Sequence, residues 1–162
     1  MLDHVMFVYD FNLRHARHLV SDLTPEQCVA QPGNLRNHVA WTIGHLALAS
    51  EVVALEFDAE PIFPEAWMPR FMPGAEIVGG VEAWPSMAEL MSQLERSHER
   101  LVALIPTLSA EALAAPPRLE MVQYKFAEVG RFATYVMTAH EGLHLGQIAD
   151  VRRALGLQTK DF

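Results

Sequence analysis

Apolar residues recur at helical spacing in four separate segments of the chain. The first segment places its apolar side chains on one face at about 100° per residue; they are Leu2, Val5, Met6, Tyr9, Leu13, Ala16 and Val20. A second segment begins near Arg36, a third begins at Ser86, and the fourth runs from about Val129 to Leu155. No strand pattern, internal repeat or low-complexity tract competes with them. We therefore predict an all-α protein.

Local capping signals mark several helix ends. The sequence TPE at residues 24–26 has the composition of an N-cap and first turn, and it predicts a short helix after the first segment. Ser86 and Glu89 have the spacing of a capping box, in which each side chain accepts a hydrogen bond from the other residue's backbone N–H. Gly156 suits the position just past a helix end, where a left-handed backbone is favoured.

A long connection, residues 58–85, separates the second and third segments and is dense in proline, glycine and aromatic residues. It is too long for a tight turn, so these two helices need not be antiparallel neighbours. A chain of 162 residues suits one domain that buries roughly 70% of its unfolded surface. We predict a single domain, residues 1–162, folded as a four-helix bundle with a long crossover between helices 2 and 3.

Composition argues against several classes of partner. The formal net charge of −8 disfavours DNA and RNA, whose affinity for proteins comes mostly from Lys and Arg. No export signal precedes the first helix, and no run of about 18 apolar residues could cross a membrane. The single cysteine, Cys28, cannot form an internal disulfide, which fits a reducing compartment. We expect a soluble cytoplasmic protein without nucleic-acid or membrane partners.

The eight histidines divide according to helical phase. Three lie opposite the apolar face of the first helix and should face solvent: His4, His15 and His18. Five lie on apolar faces that should point into the core: His38, His45, His98, His140 and His144. A lone core histidine is usually a hydrogen-bonded packing residue, and we interpret His38 and His98 in this way.

His140 and His144 differ because they form a pair. Residues four apart on a helix are separated by about 40° and 6 Å, so both imidazoles can reach one ion. Two neutral imidazoles buried side by side would otherwise use core volume poorly. Two ligands leave a site incomplete, and His45 on the second helix is the best-placed third ligand. The pattern predicts a three-histidine metal site with an open position for water or substrate.

The sequence HEGLH at residues 140–144 also satisfies the HExxH motif of zincin metalloproteases. That motif needs a third ligand downstream. Only 18 residues follow His144, they contain no histidine, and Asp150 and Asp161 are poorly spaced or terminal. A metalloprotease is therefore the less favoured interpretation.

Three passages carry a resemblance to a known family. They are NHVAWTIGHLALA, then FPEAWMPRFMPG leading through WPSMAELMSQL, and AHEGLHLGQIADVRR near the C-terminus, which is the most specific. On these passages the chain resembles the DinB-like (DinB/YfiT) metal-binding four-helix bundles, from about residue 2 to 157.

This resemblance implies an up-down-down-up bundle that binds zinc or nickel. The family's first ligand corresponds to His45 and its last pair to His140 and His144, while His38 and His98 match no ligand position. Many members are homodimers, and some relatives use low-molecular-weight thiols as cosubstrates in S-transfer or isomerisation. For this chain, Phe11 on the polar face of the first helix hints at a dimer contact.

Several residues are expected around the ligands. Glu141 is interpreted as a general base or as a residue that orients a ligand, with an exposed surface carboxylate as the alternative. Gln147 is expected to hydrogen-bond an imidazole or line the pocket. Trp41 and His98 are expected beside the ligands, and Phe63, Trp67 and Phe71 are expected to cover the open coordination position. Gly146 is expected to allow close packing between helices. Arg152 and Arg153 suit the C-terminal turn of the helix, where cations favour the helix dipole.

Two functions other than proteolysis follow from such a site. The first is a metal-dependent transferase or hydrolase that acts on a small molecule. Neutral ligands leave the full charge on the ion, which lowers the pKa of a bound water or thiol. The second is a non-catalytic binding module in which the metal ties the second helix to the fourth. A closed site with four protein ligands favours the second function, and an open site favours the first.

Overall fold

The structure is a computed structural model that describes residues 2–33, 35–158 and 160. Over these residues the chain is helical and contains no β-strand, which confirms the prediction of an all-α protein. The helices are α1 (Leu2–Val20), α2 (Pro25–Cys28), α3 (Val39–Leu55), α4 (Met68–Phe71), α5 (Met87–Leu104), α6 (Ala110–Ala114), α7 (Glu120–Gln123), α8 (Val129–Tyr135) and α9 (Glu141–Ala154). A π-helical turn, Val136–His140, joins α8 to α9. Short 3₁₀ turns occupy Glu65–Trp67, Val81–Ala83 and Ile105–Thr107.

The four predicted segments are α1, α3, α5 and the continuous run from α8 to α9. The capping box at the start of α5 forms as predicted, since Ser86 Oγ accepts from the Glu89 N–H and Glu89 Oε2 accepts from the Ser86 N–H at 2.8 Å. Gly156 has a φ of 72°, in the left-handed region that suits a residue just past α9. None of the helices in the described part of the chain is long and apolar enough to span a lipid bilayer.

Helix α3 begins later than the expected start near Arg36. His38 has an extended backbone and is the N-cap residue, and its Nδ1 accepts a hydrogen bond from the Trp41 N–H at 3.0 Å. The ring is fully buried and meets the Trp84 ring edge-on, with 4.5 Å between centroids. The prediction that His38 is a buried packing residue is therefore right about its burial, but the residue also starts the helix.

Replacing His38 by asparagine should reduce the acid sensitivity of the fold. Burial lowers the pKa of His38 from 6.5 to about 4, so the folded ring stays neutral while the unfolded chain gains a proton below pH 6.5. Its stabilisation is present above pH 6.5 and is lost as the pH falls toward 4. Between pH 7 and 5 we expect wild type to lose about 1–2 kcal/mol more unfolding free energy than His38→Asn.

Urea denaturation at the two pH values measures this difference. Asparagine can still cap α3, so the helix start is retained. His4→Asn, at an exposed position of α1, is the control and should keep the pH dependence of wild type. An equal pH dependence in wild type and His38→Asn would contradict the assignment.

Helices α3 and α5 pack against each other along their lengths. Their N-terminal ends lie together, since Trp84 just before α5 contacts the cap of α3, and their C-terminal halves are joined by Arg100, whose Nη1 donates to Glu51 Oε2 at 2.8 Å. Both charges are largely buried, and Glu51 Oε1 also accepts the Ile62 N–H at 2.9 Å. The second and third long helices are thus neighbours despite the long crossover.

Helix α1 runs beside the fourth segment. Its middle approaches the π-helical turn, where Asn12 Nδ2 donates to the Thr138 carbonyl at 3.3 Å. Its C-terminal end approaches the end of α9, where Arg152 Nη1 donates to the Leu19 carbonyl at 2.7 Å. Helices α3 and α9 are antiparallel: Asn37, just before α3, lies near Gln147 in α9, whereas His45, further along α3, lies near His140, just before α9.

Arg152 and Arg153 have different environments, although the sequence suggested the same role for both. Arg152 is 1% exposed and bonds the Leu19 carbonyl, both carboxylate oxygens of Asp22 and the Gln158 carbonyl. Arg153 is exposed and pairs with Asp150 one turn earlier. Arg152 and Lys160 hold the pKa of the half-exposed Asp22 carboxyl well below its usual range. Arg152 therefore joins the end of α9 to the α1–α2 connection.

Candidate metal centre

Three histidines meet where α3 faces the start of α9. His45 lies in the middle of α3, His140 ends the π-helical turn, and His144 lies one turn into α9. One nitrogen from each ring lies within 4.8 Å of the other two, and His45 Nε2 is 3.3 Å from His140 Nε2. Over the described ranges this is the one cluster of three or more His, Cys, Asp or Glu side chains close enough to share an ion.

Hydrogen bonds set the direction in which two of the rings present their lone pairs. His45 Nδ1 is 2.8 Å from the Phe71 carbonyl, which can only accept, so Nδ1 carries the proton. His144 Nδ1 is 2.9 Å from Gln147 Oε1, which has the same consequence. In both rings Nε2 is left with a free lone pair, the arrangement that metal-bound histidines adopt.

Burial keeps the three rings neutral. It lowers the pKa of His45 to about 4 and that of His140 to about 3, and it also lowers the pKa of His144. Interactions among the three rings lower the pKa of His45 and His140 further. Neutral imidazoles bind metals, and three nitrogen donors with no carboxylate suit zinc, nickel or copper better than magnesium or calcium. The donor set therefore fits the metal that the sequence predicts.

Trp41 stacks on His45, with 4.6 Å between ring centroids and 10° between ring planes. Its Nε1 donates to the Arg70 carbonyl at 3.1 Å, which ties the indole to the crossover. Gln147 is held in turn by Asn37, whose Nδ2 lies 3.5 Å from Gln147 Oε1. Trp41 and Gln147 are thus in contact with the clustered histidines.

His98 lies elsewhere. Its ring stacks on Tyr9 at 4.1 Å, and its Nε2 is 3.2 Å from Asp10 Oδ1. Both partners belong to α1, so His98 joins α5 to α1 and is not in the cluster. The placement of His98 beside the ligands is therefore not observed, whereas its interpretation as a packing residue agrees with these contacts.

The crossover reaches the cluster through a backbone atom that sequence reasoning missed. Phe71 is fully buried and provides the carbonyl that holds His45. Phe63 and Trp67 pack against the Phe71 ring, with centroids 6.1 and 6.2 Å away. The aromatic residues predicted to cover the site thus form a support for one ligand.

Gly44 allows Phe71 to approach α3 this closely. A Cβ atom on Gly44 would lie 2.2 Å from Phe71 Cε1, a distance at which the ring must move. The glycine immediately before His45 is visible in the sequence, but its contact lies 27 residues away in the crossover and leaves no local signal. Gly146, which was expected to allow close packing, has no neighbour within 4 Å of an added Cβ, so that expectation is wrong.

Gly44→Ala should lower the unfolding free energy by about 1–3 kcal/mol, because a packed aromatic ring cannot move aside at no cost. Gly146→Ala is the matched control, since alanine favours the helix and meets open space, and it should raise stability by up to about 1 kcal/mol. Chemical denaturation of the two variants measures both effects. A Gly44→Ala variant as stable as wild type would show that the ring adjusts without loss.

A π-helical turn ends at His140, the first histidine of the pair, and was not predicted. Such turns interrupt α-helices mostly as single turns and are frequent at functional sites. The turn is bonded from outside by Asn12, which is 7% exposed and donates to the Met137 and Thr138 carbonyls at 3.5 and 3.3 Å. The regular apolar spacing across this segment shows no break at the turn, so periodicity did not reveal it.

Glu141 is 3% exposed, which excludes the surface carboxylate considered from the sequence. Burial holds its pKa well above the ordinary value, and the Asn12 side chain partly opposes this by donating a hydrogen bond. Its neighbour Asn12 lies on α1, its Oε2 has no hydrogen-bond partner among the described residues, and Glu141 does not belong to the histidine cluster. A zincin needs this carboxylate beside the metal as the general base. Asp150 is paired with Arg153, and Asp161 lies outside the described residues.

A cavity of about 170 Å³ adjoins the cluster. His45 and His140 form part of its wall, and the other lining residues come from α3, the part of the crossover just after α4, and the chain from α7 to the π-helical turn. A larger and more open cavity of about 460 Å³ lies between α1, α6 and α8, but no histidine is among its described lining residues. Of these two cavities, the smaller one is lined by clustered histidines.

Comparison with protein families matches residues 2–148 to the family described as the DinB superfamily. This range contains all three clustered histidines. Comparison with curated proteins finds no match.

Proposed function

Because the chain belongs to the DinB superfamily, we propose that it binds one divalent metal ion, zinc or nickel, through His45, His140 and His144. One observation carries this proposal: three neutral imidazoles converge, and in two of them the Nδ1 proton is already donated to another group. Convergent lone pairs repel one another unless a cation lies between them. Among the described residues no hydrogen-bond partner meets the buried His140 Nδ1, so no second group fixes the tautomer of this ring.

We propose the up-down-down-up bundle for the same chain. The relative directions of the helices support this arrangement. Helices α3 and α5 are parallel, α1 and α9 are parallel, and α3 and α9 are antiparallel. In this arrangement the long crossover returns the chain to the end of the bundle where α3 began. It thereby brings the Phe71 carbonyl to His45.

Of the functions considered, we propose a metal-dependent transferase or hydrolase of a small molecule, with a low-molecular-weight thiol as a cosubstrate. A divalent ion held by three neutral ligands supplies a lowered pKa to a water or thiol in its open position. Phe71 and Gln147 hold the ligand rings in their tautomers, and Trp41 shields His45 from solvent. Glu141 is not among the clustered side chains, so we assign it no role in the proposed chemistry.

An observation favours this function over a purely structural metal. In the described part of the chain three side chains converge on the site, and a cavity adjoins two of them. Structural zinc sites are almost always closed by four protein ligands, whereas catalytic sites leave one position to water or substrate.

Elemental analysis of untagged protein, purified without chelator, tests the metal proposal. We expect about one zinc or nickel per chain, or uptake of one ion by chelator-treated protein. Calorimetry with N-acetylcysteine then tests the thiol part, with binding expected to the metal-loaded form and not to the metal-free form. Protein that is purified without metal and takes up neither ion would contradict the proposal.

For the assembly we propose a homodimer formed through the exposed side of α1. Phe7 is 63% exposed, and its ring lies beside that of Phe11, with centroids 6.4 Å apart. Light scattering should give twice the mass of the chain, and Phe7→Glu should give the mass of one chain. A monomeric wild type at high concentration would contradict this assembly.

A further inference from the structure

The cavity beside the histidines has apolar walls built from three parts of the chain. Leu48 and Val52 come from α3, Met72 from the part of the crossover just after α4, and Phe126 and Phe132 from the region around α7 and α8. Met72 and Met121 carry flexible thioether side chains, which adapt to the shape of a ligand. Such walls favour a ligand with an apolar body over a sugar or a nucleotide.

Charge distinguishes this cavity from the rest of the molecule. The chain carries a formal net charge of −8, yet no Asp or Glu is among the described residues that line the cavity. The one lysine or arginine in that lining is Lys125, which is exposed at the outer end, above the Tyr124 ring. The neutral rings of His45 and His140 are less exposed than Lys125 and therefore mark the inner end.

Size limits the ligand further. At about 170 Å³ the cavity is smaller than the roughly 300–1,000 Å³ of pockets for drug-sized molecules. A compact molecule fills it without extending far beyond Lys125.

We propose that this cavity binds a small monoanionic molecule with an apolar body, whose anionic group faces Lys125 and whose opposite end faces His45 and His140. This proposal names the chemical class of the second substrate in the proposed function, and the bound molecule is a substrate only if that function holds. The binding itself depends on the cavity walls and on Lys125, which are present with or without metal. An anionic group at the outer end leaves the reactive end of the molecule beside the metal position.

Calorimetry with hexanoate and hexylammonium tests the inference, because these probes share an apolar chain and differ in the sign of their charge. We expect metal-free protein to bind hexanoate about tenfold more tightly than hexylammonium, and Lys125→Met to abolish most of this preference. Ala49→Leu, which adds volume inside the cavity, should weaken hexanoate binding at least about tenfold. Ala127→Leu, at an exposed position that does not line the cavity, is the matched control and should bind as wild type does.

The outcomes separate the two proposals. Equal binding of both probes, or unchanged hexanoate binding in Ala49→Leu, overturns the inference and leaves metal binding untouched. Hexanoate binding that appears only after metal loading also overturns it, since the carboxylate would then be held by the metal. Hexanoate binding to protein that takes up no metal would uphold the cavity while refuting the proposed metal function.

Discussion

His45→Ala and His144→Ala should each lose bound metal, whereas His98→Ala should keep about one ion per chain. Removing one of three ligands leaves two neutral donors, and we expect the metal dissociation constant to rise at least about 100-fold, because loss of a residue that merely orients a ligand already costs 10- to 100-fold. His98 is buried like the ligands, but it contacts Tyr9 and Asp10 instead of the cluster. It is therefore a control for the loss of a buried imidazole. Elemental analysis of the purified variants measures the difference.

The folding of each variant is checked by its far-ultraviolet circular dichroism, since a variant that fails to fold would lose metal for another reason. Ligand binding to the native state also raises the melting temperature, so added zinc should stabilise wild type and His98→Ala but neither ligand variant. If His98→Ala lost its metal while His45→Ala retained it, the assignment of ligands would be wrong.

Arg152→Met should lower the unfolding free energy by about 2–4 kcal/mol. The guanidinium is 1% exposed and satisfies the Leu19 and Gln158 carbonyls, as well as the Asp22 carboxylate. Methionine fills much of the same volume but cannot donate to any of these oxygens. Part of the loss comes from the Leu19 carbonyl, which becomes a buried acceptor without a donor.

Arg153→Met provides the matched control for this substitution. The two arginines are adjacent on α9, but Arg153 is exposed and its pair with Asp150 is a surface contact. We expect this variant to remain within about 0.5 kcal/mol of wild type. Urea denaturation of both variants at neutral pH gives the comparison, and equal stabilities would show that the buried guanidinium contributes little.

The long helices could be predicted because their causes are local. Amphipathic spacing and capping residues act within a few positions, so α1, the start of α5 and the end of α9 were found close to their observed bounds. The start of α3 was misplaced, because a histidine is an unusual cap and its role depends on a bond to the Trp41 N–H. The same locality explains why the i, i+4 spacing of His140 and His144 could indicate a shared site.

The surroundings of the histidines could not be predicted, because they depend on contacts between distant parts of the chain. The Phe71 carbonyl reaches His45 only after the crossover has folded back, and Asn37 meets Gln147 across two helices. Burial of Glu141 and of Arg152 likewise depends on contacts with α1, which the sequence did not indicate. His98 shows the limit of helical phase, which identified a core-facing residue without indicating which neighbour it would meet.

The π-helical turn limits how far the length of the fourth segment can change. A π turn contains about one residue more than the α turn it replaces, so the extra residue is taken up within the turn, and α8 and α9 keep the buried faces of a continuous helix. Deleting one residue from 136–139 would leave an uninterrupted α-helix with both faces still directed inward. Deleting two would rotate His140 and His144 by about 100° away from His45. The letters HEGLH would survive this two-residue deletion unchanged, so the motif indicates a metal site only where the spacing before it is kept to within the one residue that the π-helical turn takes up.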